Sequence, residues 1–440
     1  MRKLVVLASL LVLAGLLGAA ALFAGSASSF AAARSYPTGR EPDSVAIGDL
    51  NADGKPDLVS ANVVGTVSVL LNKGDGSFEA KRDYGTRPNA IAVAIGDLNG
   101  DGKPDLAITN DLDSGTVSVL INRGDGTFRR HVEYAVGGQP ASVRIGDLNA
   151  DGRPDLATAN DGADTVSVLL NSGDGTFQAK HDYLVGNGPY SVMISDLNGD
   201  GQPDLVTGNG SDDTLSVLLN RGGGSFQAKR DYGTGLGAGS VAVGDLNGDG
   251  KPDLATTSGA STVSVLLNRG DGSFRGSRDY RTALFPYSVA IGDLNGDGKP
   301  DLATANGHPT NTVSVLANRG DGRFQPKLDY ATGRGANEVA IGDLNGDGKP
   351  DLATANSRAN TVSVLINTPG LCTVQNVEGK RLPVAKRTIA RANCRVGKIR
   401  RACSKTVKKG RVISEKPKPG TVLPGGGKVN LVVSRGRRPS

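Results

Sequence analysis

The amino-acid sequence predicts an all-β fold, a seven-bladed β-propeller closed by its N-terminal strand, followed by a small α+β domain. The first observation is a repeated acidic loop, whose first residues are Asp49, Asp97, Asp147, Asp196, Asp245, Asp293 and Asp343. Successive loops are 48 to 50 residues apart, a period typical of solenoids and propellers. The second observation is the composition, because 63 glycines and no tryptophan favour many short strands and turns.

Each repeat contains four runs of alternating small and β-branched residues, which predict four strands. In one repeat these runs are Ser288–Leu294, Asp301–Ala305, Thr312–Asn318 and Phe324–Tyr330. The acidic loop joins the first two runs, and a Gly-Asp-Gly hairpin joins the last two. Four antiparallel strands repeated seven times are typical of a propeller.

The two ends of the repeat array complement each other. The seventh repeat stops after Asn367 without its fourth strand, while Phe30 and Tyr36 have the six-residue spacing of Phe324 and Tyr330. We therefore expect the N-terminal strand to complete the last blade and to close the ring, which removes exposed sheet edges.

The acidic loop has the form Asp-x-Asn-x-Asp-Gly-x-x-Asp. In one copy the side-chain oxygens belong to Asp293, Asn295, Asp297 and Asp301, and the backbone carbonyl of Lys299 is the fifth donor. Calcium takes six to eight such oxygen ligands. The loop is not an EF-hand, because position twelve is never glutamate. A metal-free turn is the alternative, although a turn needs only the glycine and one turn-forming residue.

The sequence thus predicts calcium as a structural cofactor. The same five positions of each loop supply the predicted ligands. They are Asp49, Asn51, Asp53, Lys55, Asp57, Asp97, Asn99, Asp101, Lys103, Asp105, Asp147, Asn149, Asp151, Arg153, Asp155, Asp196, Asn198, Asp200, Gln202, Asp204, Asp245, Asn247, Asp249, Lys251, Asp253, Asp293, Asn295, Asp297, Lys299, Asp301, Asp343, Asn345, Asp347, Lys349 and Asp351.

With these loops and this strand order, the repeats resemble the FG-GAP/VCBS family over about 340 residues. Members of that family form integrin-α-like propellers with calcium loops between the first two strands of a blade. The resemblance implies that the ligand set above binds calcium. It also implies adhesion or recognition more often than catalysis.

In a four-stranded meander, the acidic loops and the Gly-Asp-Gly hairpins lie on one face. The loops that differ between repeats, such as His308–Asn311 and Ser357–Asn360, lie on the other, where recognition usually resides. Tyr190 and Tyr287 precede the innermost strands and are predicted to surround the central channel, with Phe285 nearby. We expect these three aromatic residues to bind a ligand such as a sugar; loop packing is the alternative.

Catalytic residues are not predicted, because the blades are nearly identical and none contains an inserted catalytic constellation. The alternative function is an exported polysaccharide-acting lyase or hydrolase, since some proteins with such repeats are enzymes of this kind.

Residues 1–29 are predicted to be an export signal, with Arg2 and Lys3 before an apolar run from Leu4 to about Phe23. We expect cleavage between Ala24 and Ala33. The alternative is an uncleaved membrane anchor, because the run approaches the length of a bilayer span. Both interpretations predict a secreted or cell-envelope protein of a bacterium.

A second domain is predicted at 369–436, after the propeller at 30–368 and before a basic tail at 437–440. From Gly370 to Ser440 there are 19 lysines and arginines and two acidic residues, whereas the rest of the chain has 31 basic and 42 acidic residues. A helix is predicted at Leu382–Asn393, with strands at Arg395–Ile399, Arg411–Ser414 and Val429–Ser434.

The segment Gly410–Gly436, with Val396–Ile399, resembles a PASTA domain, although the usual proline near the start is absent. PASTA modules are found on bacterial envelope proteins and are associated with peptidoglycan or β-lactam recognition. The resemblance implies attachment to the cell wall. The positive charge favours polyanions such as wall polymers, anionic lipid or acidic glycans; the export signal argues against nucleic acid, and a merely solvated surface is the alternative.

All three cysteines lie in this domain. One disulfide is expected in an exported chain, and we favour Cys372 with Cys394. Cys403 is then free or paired between chains.

Overall fold

The computed structural model describes residues 29–368, 372–391, 394–423 and 428–436. The predicted export signal up to residue 28 and the basic tail 437–440 lie outside the described residues. Contacts divide the chain into two compact units, one of which is Phe30–Asn367, while the other contains the C-terminal residues from Thr368. In the described part of the chain, no helix is long and apolar enough to span a bilayer.

The first unit consists of seven antiparallel sheets of four strands each, as the repeats predict. Strand β1 is Arg34–Pro37. The first three blades contain β2 (Pro42–Gly48), β3 (Asp57–Asn62), β4 (Thr66–Leu70) and β5 (Arg82–Gly85); β6 (Ala90–Gly96), β7 (Asp105–Asn110), β8 (Thr116–Leu120) and β9 (Val132–Ala135); and β10 (Pro140–Gly146), β11 (Asp155–Asn160), β12 (Thr165–Leu169) and β13 (His181–Leu184). A short 3₁₀ turn, Asp161–Ala163, precedes β12.

Blades four to seven follow the same order. They contain β14 (Pro189–Ser195), β15 (Asp204–Asn209), β16 (Thr214–Leu218) and β17 (Arg230–Gly233); β18 (Val241–Gly244), β19 (Asp253–Ser258), β20 (Thr262–Leu266) and β21 (Arg278–Arg281); β22 (Pro286–Gly292), β23 (Asp301–Asn306), β24 (Thr312–Leu316) and β25 (Leu328–Ala331); and β26 (Ala336–Gly342), β27 (Asp351–Asn356) and β28 (Thr361–Leu365).

The seventh sheet takes its outer strand from the start of the unit. Its order is β1-β28-β27-β26, with Arg34 opposite Val364. Phe30 forms a bridge with Asn367 and packs edge-on against Tyr330 at a centroid distance of 5.1 Å. The predicted closure by the N-terminal strand is therefore confirmed.

The outer strands begin later than the sequence pattern indicates. Phe324 forms only an isolated bridge with Asn318, and Gln325 N still donates to Ala317 O at 2.8 Å. The chain then leaves the ladder until β25 begins at Leu328. The aromatic residue of each repeat thus closes a hairpin and packs inward, whereas the alternation pattern places it in the strand.

The hydrophobic core lies between adjacent blades. Between blades six and seven, for example, Val313 and Val315 pack in one cluster with Val339 and Leu352. The second strand of every blade is wholly buried. Its small residues let neighbouring sheets approach, and the apolar area removed from water stabilises the ring.

Buried polar side chains follow the same repeat. Asn306 Nδ2 donates to Ser314 Oγ at 3.0 Å, and Ser314 Oγ donates to Asp329 Oδ1 at 2.7 Å. Asn318 Nδ2 donates to Pro300 O at 2.7 Å and to Leu246 O of the preceding blade at 2.9 Å. The latter bond recurs at each blade junction, and Asn72 completes the circle by donating to Leu344 O at 2.9 Å. Because buried polar groups need partners, the recurring asparagines are part of the frame.

The described residues of the second unit form one helix and five strands, as predicted for a small α+β domain. They are β29 (Cys372–Thr373), α1 (Leu382–Arg391), β30 (Arg395–Ala402), β31 (Val412–Lys416), β32 (Val422–Leu423) and β33 (Lys428–Ser434). The sheets are β30-β33-β31 and β29-β32. Ala385 and Ile389 of the helix pack with Val412 and Leu431 in the core.

Candidate functional sites on the two faces of the propeller

The acidic loops and the Gly-Asp-Gly hairpins occupy one face, as predicted. Gly126 N of a hairpin donates to Leu50 O of the acidic loop in the preceding blade at 3.1 Å. We call this surface the acidic-loop face. The opposite surface, which carries the loops that differ between blades, is called the variable face.

Within each acidic loop, the side chains fold over the loop's own backbone. Asp293 Oδ2 accepts from Gly298 N at 2.8 Å, and Asn295 Oδ1 accepts from Asp297 N at 2.9 Å. Asp297 Oδ1 accepts from Lys299 N at 3.1 Å. These side-chain to backbone bonds hold the loop's oxygen atoms above a tight turn.

The aspartate at the ninth position is buried beneath the loop. Asp301 Oδ1 accepts from Asn318 N at 2.7 Å, and Oδ2 accepts from Leu294 N at 3.1 Å. Burial raises the pKa of Asp301 to about 7, and the carboxylates of Asp297 and Asp293 also raise it. The ionised form of a buried carboxylate that lies near other carboxylates is stabilised when a cation is nearby.

The loop residues fit calcium in their donor chemistry. Three carboxylates, one amide oxygen and one carbonyl form the all-oxygen set that calcium takes. In the described residues, however, no group of three or more His, Cys, Asp or Glu side chains is arranged so that it could hold a metal ion. Lys55 Nζ instead lies 3.0 Å from Asp53 Oδ2. The calcium sites stay a prediction.

On the variable face, the central channel opens into two adjoining cavities. An inner cavity of about 50 Å³ is lined by residues that include Asp43, Arg144 and Glu338. An outer cavity of about 310 Å³ is lined by Tyr190, Tyr287, Asn337, His308, Gly335, Ser357 and Arg358. Tyr190, Tyr287 and Asn337 line both cavities. We call this region the channel mouth.

The predicted aromatic residues are only partly brought together. Tyr190 and Tyr287 are each 43% exposed and line the mouth, as expected. The Tyr287 ring lies against Gly307, where an added Cβ would be 2.3 Å from it. Phe285 is also exposed, but it lines neither cavity. Ligand binding by these three residues stays a prediction.

The charged residues of the channel mouth were missed, although the sequence carries a signal for them. At the third position of the innermost strand, five blades have serine and one has alanine, but the seventh has Glu338. At the fifth position, five blades have alanine, whereas the third has Arg144 and the fourth has Met193. Comparing the blades position by position along this strand identifies both charges.

Hydrogen bonds hold these charged side chains in place, and burial shifts the pKa of Glu338 and of Asp43. Glu338 Oε2 accepts from Val45 N at 2.9 Å, and burial raises the pKa of Glu338 although Arg144 opposes the shift. Burial raises the pKa of Asp43 to about 6, while a hydrogen bond from the Asn337 amide opposes this shift. Arg144 donates to Val143 O at 2.9 Å and to the Met193 sulfur at 3.2 Å.

In the C-terminal unit, Cys394 is buried and disulfide-bonded, and Cys403 is exposed and free. The side chain of Cys372 lies outside the described residues, so the pairing of Cys372 with Cys394 stays a prediction. The basic residues are largely exposed, as illustrated by Lys405, Lys408 and Lys409. None of the described lysines and arginines of this unit forms an ion pair.

A repeat propeller combined with this second unit defines the class: an extracellular or cell-envelope protein. The chain belongs to the FG-GAP-like repeat family, which matches residues 49–108, 97–158, 147–207, 196–256, 245–304 and 293–354. A PASTA domain matches residues 373–435. Both resemblances expected from the sequence are confirmed.

Three solved structures of differently named proteins have a similar fold. Virginiamycin B lyase from Staphylococcus aureus is 11% identical, with a TM-score of 0.53, over 77% of this chain and 99% of that one. The periplasmic gluconolactonase of Pseudomonas aeruginosa is 17% identical, with a TM-score of 0.51, over 66% and 86%. Sqt1 of Saccharomyces cerevisiae is 13% identical, with a TM-score of 0.51, over 73% and 83%. At these identities the likeness concerns the fold alone.

Proposed function

We propose that this chain is a calcium-binding recognition protein of the bacterial surface, which binds a ligand on the variable face and attaches to the cell wall through its PASTA unit. The observation that carries the proposal is the contrast between the two faces. One face repeats the same acidic loop seven times, and the other differs from blade to blade. A rigid scaffold with variable loops is the usual arrangement for recognition.

Calcium has a structural role in this proposal. The carboxylates of each loop, together with its asparagine and a backbone carbonyl, would hold one ion. The ion supplies the positive charge that the buried carboxylates otherwise lack. A ligand that binds only the folded state stabilises that state by mass action. We therefore expect calcium to raise the melting temperature.

Thermal unfolding of the full chain tests this role. We expect a melting temperature at least 5 °C higher in millimolar calcium than in excess chelator, because one site filled at 100 times its Kd contributes about 2.7 kcal/mol. Magnesium at the same concentration is the matched control. Identical melting curves in calcium and chelator would contradict the calcium role.

Attachment to the wall is supported by the exposed and unpaired basic residues of the PASTA unit. A triple variant, Lys405→Gln with Lys408→Gln and Lys409→Gln, removes three of these charges from the surface. We expect it to bind purified wall sacculi about tenfold more weakly, with a reduced dependence on salt. The matched control changes three exposed basic residues of the propeller, namely Lys73, Arg129 and Arg130, to glutamine and should bind normally. Equal loss in both variants would contradict attachment through the PASTA unit.

A second candidate is a polysaccharide-acting lyase or hydrolase. It is favoured by the channel mouth, where Arg144, Glu338 and two tyrosines meet, and the names of the lyase and the gluconolactonase are consistent with an enzyme on such a fold. Incubation with uronate-containing and neutral glycans, followed by analysis of chain length, tests it. Depolymerisation that Glu338→Ser abolishes would favour this candidate over recognition alone.

A further inference from the structure

We propose that the channel mouth binds the ammonium group of a small polar ligand, with the rings of Tyr190 and Tyr287 at the opening and the carboxylates of Asp43 and Glu338 below them. This inference rests on the proposed function, because it assigns a ligand chemistry to the variable face.

The hydrogen bond between blades seven and one does not require the carboxylate of Glu338. In four pairs of neighbouring blades, the serine at the third strand position accepts from a valine amide of the next blade, as Ser288 Oγ does from Val339 N at 3.4 Å. Glu338 accepts the equivalent bond from Val45 N. A serine would therefore satisfy the same amide, and the carboxylate adds a desolvation cost that Arg144 and a hydrogen bond with Ser44 oppose.

The charges that line the inner cavity do not balance. Arg144 lies two strand positions deeper than Glu338, roughly 7 Å along the channel at 3.3 Å per residue. It offsets the Glu338 charge. Asp43 accepts a hydrogen bond from the neutral Asn337 amide, and no ion pair involves it in the described part of the chain. Among the residues that line the inner cavity, the two carboxylates of Asp43 and Glu338 face one arginine, Arg144, so one carboxylate is left without a balancing charge.

The residues at the opening favour a cation. Tyrosine faces attract cations through the ring quadrupole, and a carboxylate forms short, strong hydrogen bonds with an ammonium group. Arg358 lies on the outer wall and is exposed, so water screens its charge. Aromatic rings above a carboxylate thus favour an ammonium over an anion.

The size of the cavities limits the ligand. The inner cavity of about 50 Å³ admits an ammonium group, since a water molecule, which is of similar size, needs only about 10–15 Å³ of such space. The outer cavity of about 310 Å³ admits a body the size of a monosaccharide or an amino acid. An amino sugar and a basic amino acid share this chemistry.

Calorimetric titration of the full chain in calcium at pH 7.5 tests the inference, with glucosamine, glucose, Nα-acetyl-lysinamide and Nα-acetyl-norleucinamide as probes. We expect at least one amine to bind ten times more tightly than its counterpart without that amine. Glucosamine against glucose tests the sugar source, and the lysine derivative against the norleucine derivative, which has no ammonium group, tests the amino-acid source. If neither amine binds, or if the neutral probes bind equally well, the inference is wrong.

Variants make the test specific. Glu338→Ser restores the residue that most sibling blades carry, and Asp43→Asn keeps the shape of the side chain. Each should weaken amine binding tenfold to a hundredfold. Asp43→Asn should leave the melting temperature unchanged or higher, whereas Glu338→Ser should lower it unless Arg144, which it leaves without its carboxylate, is also changed to alanine. Asp113→Asn, which alters an acidic residue in a variable-face loop outside both cavities, is the matched control and should bind normally.

Arg144→Ala, which also restores the sibling residue, separates the two signs of ligand charge. Amine binding should be unchanged or tighter, because a positive charge is removed. Loss of binding in this variant would overturn the inference in favour of an anionic ligand. Binding of neutral sugar alone would refute the ammonium site but would still support recognition by the variable face. Attachment to the wall is measured independently of both.

Discussion

The two faces of the propeller use their side chains in opposite ways. On the acidic-loop face, the carboxylate and amide side chains bond to backbone groups of the same blade or of a neighbouring blade, as Asp301 and Asn318 do. At the channel mouth, the residues differ between blades, and the two tyrosines remain 43% exposed. The repeats therefore keep identical residues at positions that the folded ring requires, and they differ at positions that the ring does not require.

The comparison predicts that truncation on the acidic-loop face mainly lowers stability. Phe324 is buried under its hairpin and packs edge-on against Tyr280 at 5.1 Å. Phe324→Ala should reduce the free energy of unfolding by about 3–5 kcal/mol, measured by denaturant unfolding. Leu236→Ala, on the variable face and 65% exposed, should cost less than about 0.5 kcal/mol. Similar losses in the two variants would refute the contrast.

A smaller loss is expected when a bond between blades is removed. Asn318→Ala deprives Leu246 O and Pro300 O of a donor and Gly320 N of an acceptor. The unfolding free energy should fall by about 2–3 kcal/mol, because buried partners are left unsatisfied. Asn187→Ala, which removes an exposed bond to Asp212 on the variable face, should change it by less than about 0.5 kcal/mol.

The smallest effect is a pH dependence from the channel mouth. Burial raises the pKa of Asp43 from 3.8 to about 6. The unfolded chain therefore releases this proton first, and stability that is present below pH 4 is lost as the pH rises through 6. The full shift corresponds to about 3 kcal/mol. Because the Asp43 side chain is partly exposed, Asp43→Asn should remove on the order of 1–2 kcal/mol of that loss, seen as the difference between the two unfolding profiles. A profile that Asp43→Asn leaves unaltered would refute this assignment.

Most of the fold could be predicted from the sequence. The spacing of the acidic loops defines the blades, and the missing strand after Asn367 indicates the closure by Phe30. The outer strands were less predictable, because Phe324 closes a hairpin instead of extending β25. The alternation of residue types alone does not show whether Phe324 closes the hairpin or belongs to the strand.

The channel mouth could not be predicted in the same way. Asp43, Arg144 and Glu338 come from blades one, three and seven. Arg144 and Glu338 depart from the residue that most blades carry at their positions, whereas the position of Asp43 differs in nearly every blade. Only the ring brings their strands together. The sequence carries these departures, but their meaning depends on the alignment of all seven blades around one axis.

The central claim is that the repeated face is a frame built around calcium. Equilibrium dialysis of the full chain, with calcium counted per chain at saturation, tests it most directly. The account predicts about seven ions, at most one per acidic loop, and about one fewer in Asp293→Asn. A chain that binds no calcium at millimolar concentration, or a variant with the same count, would contradict it.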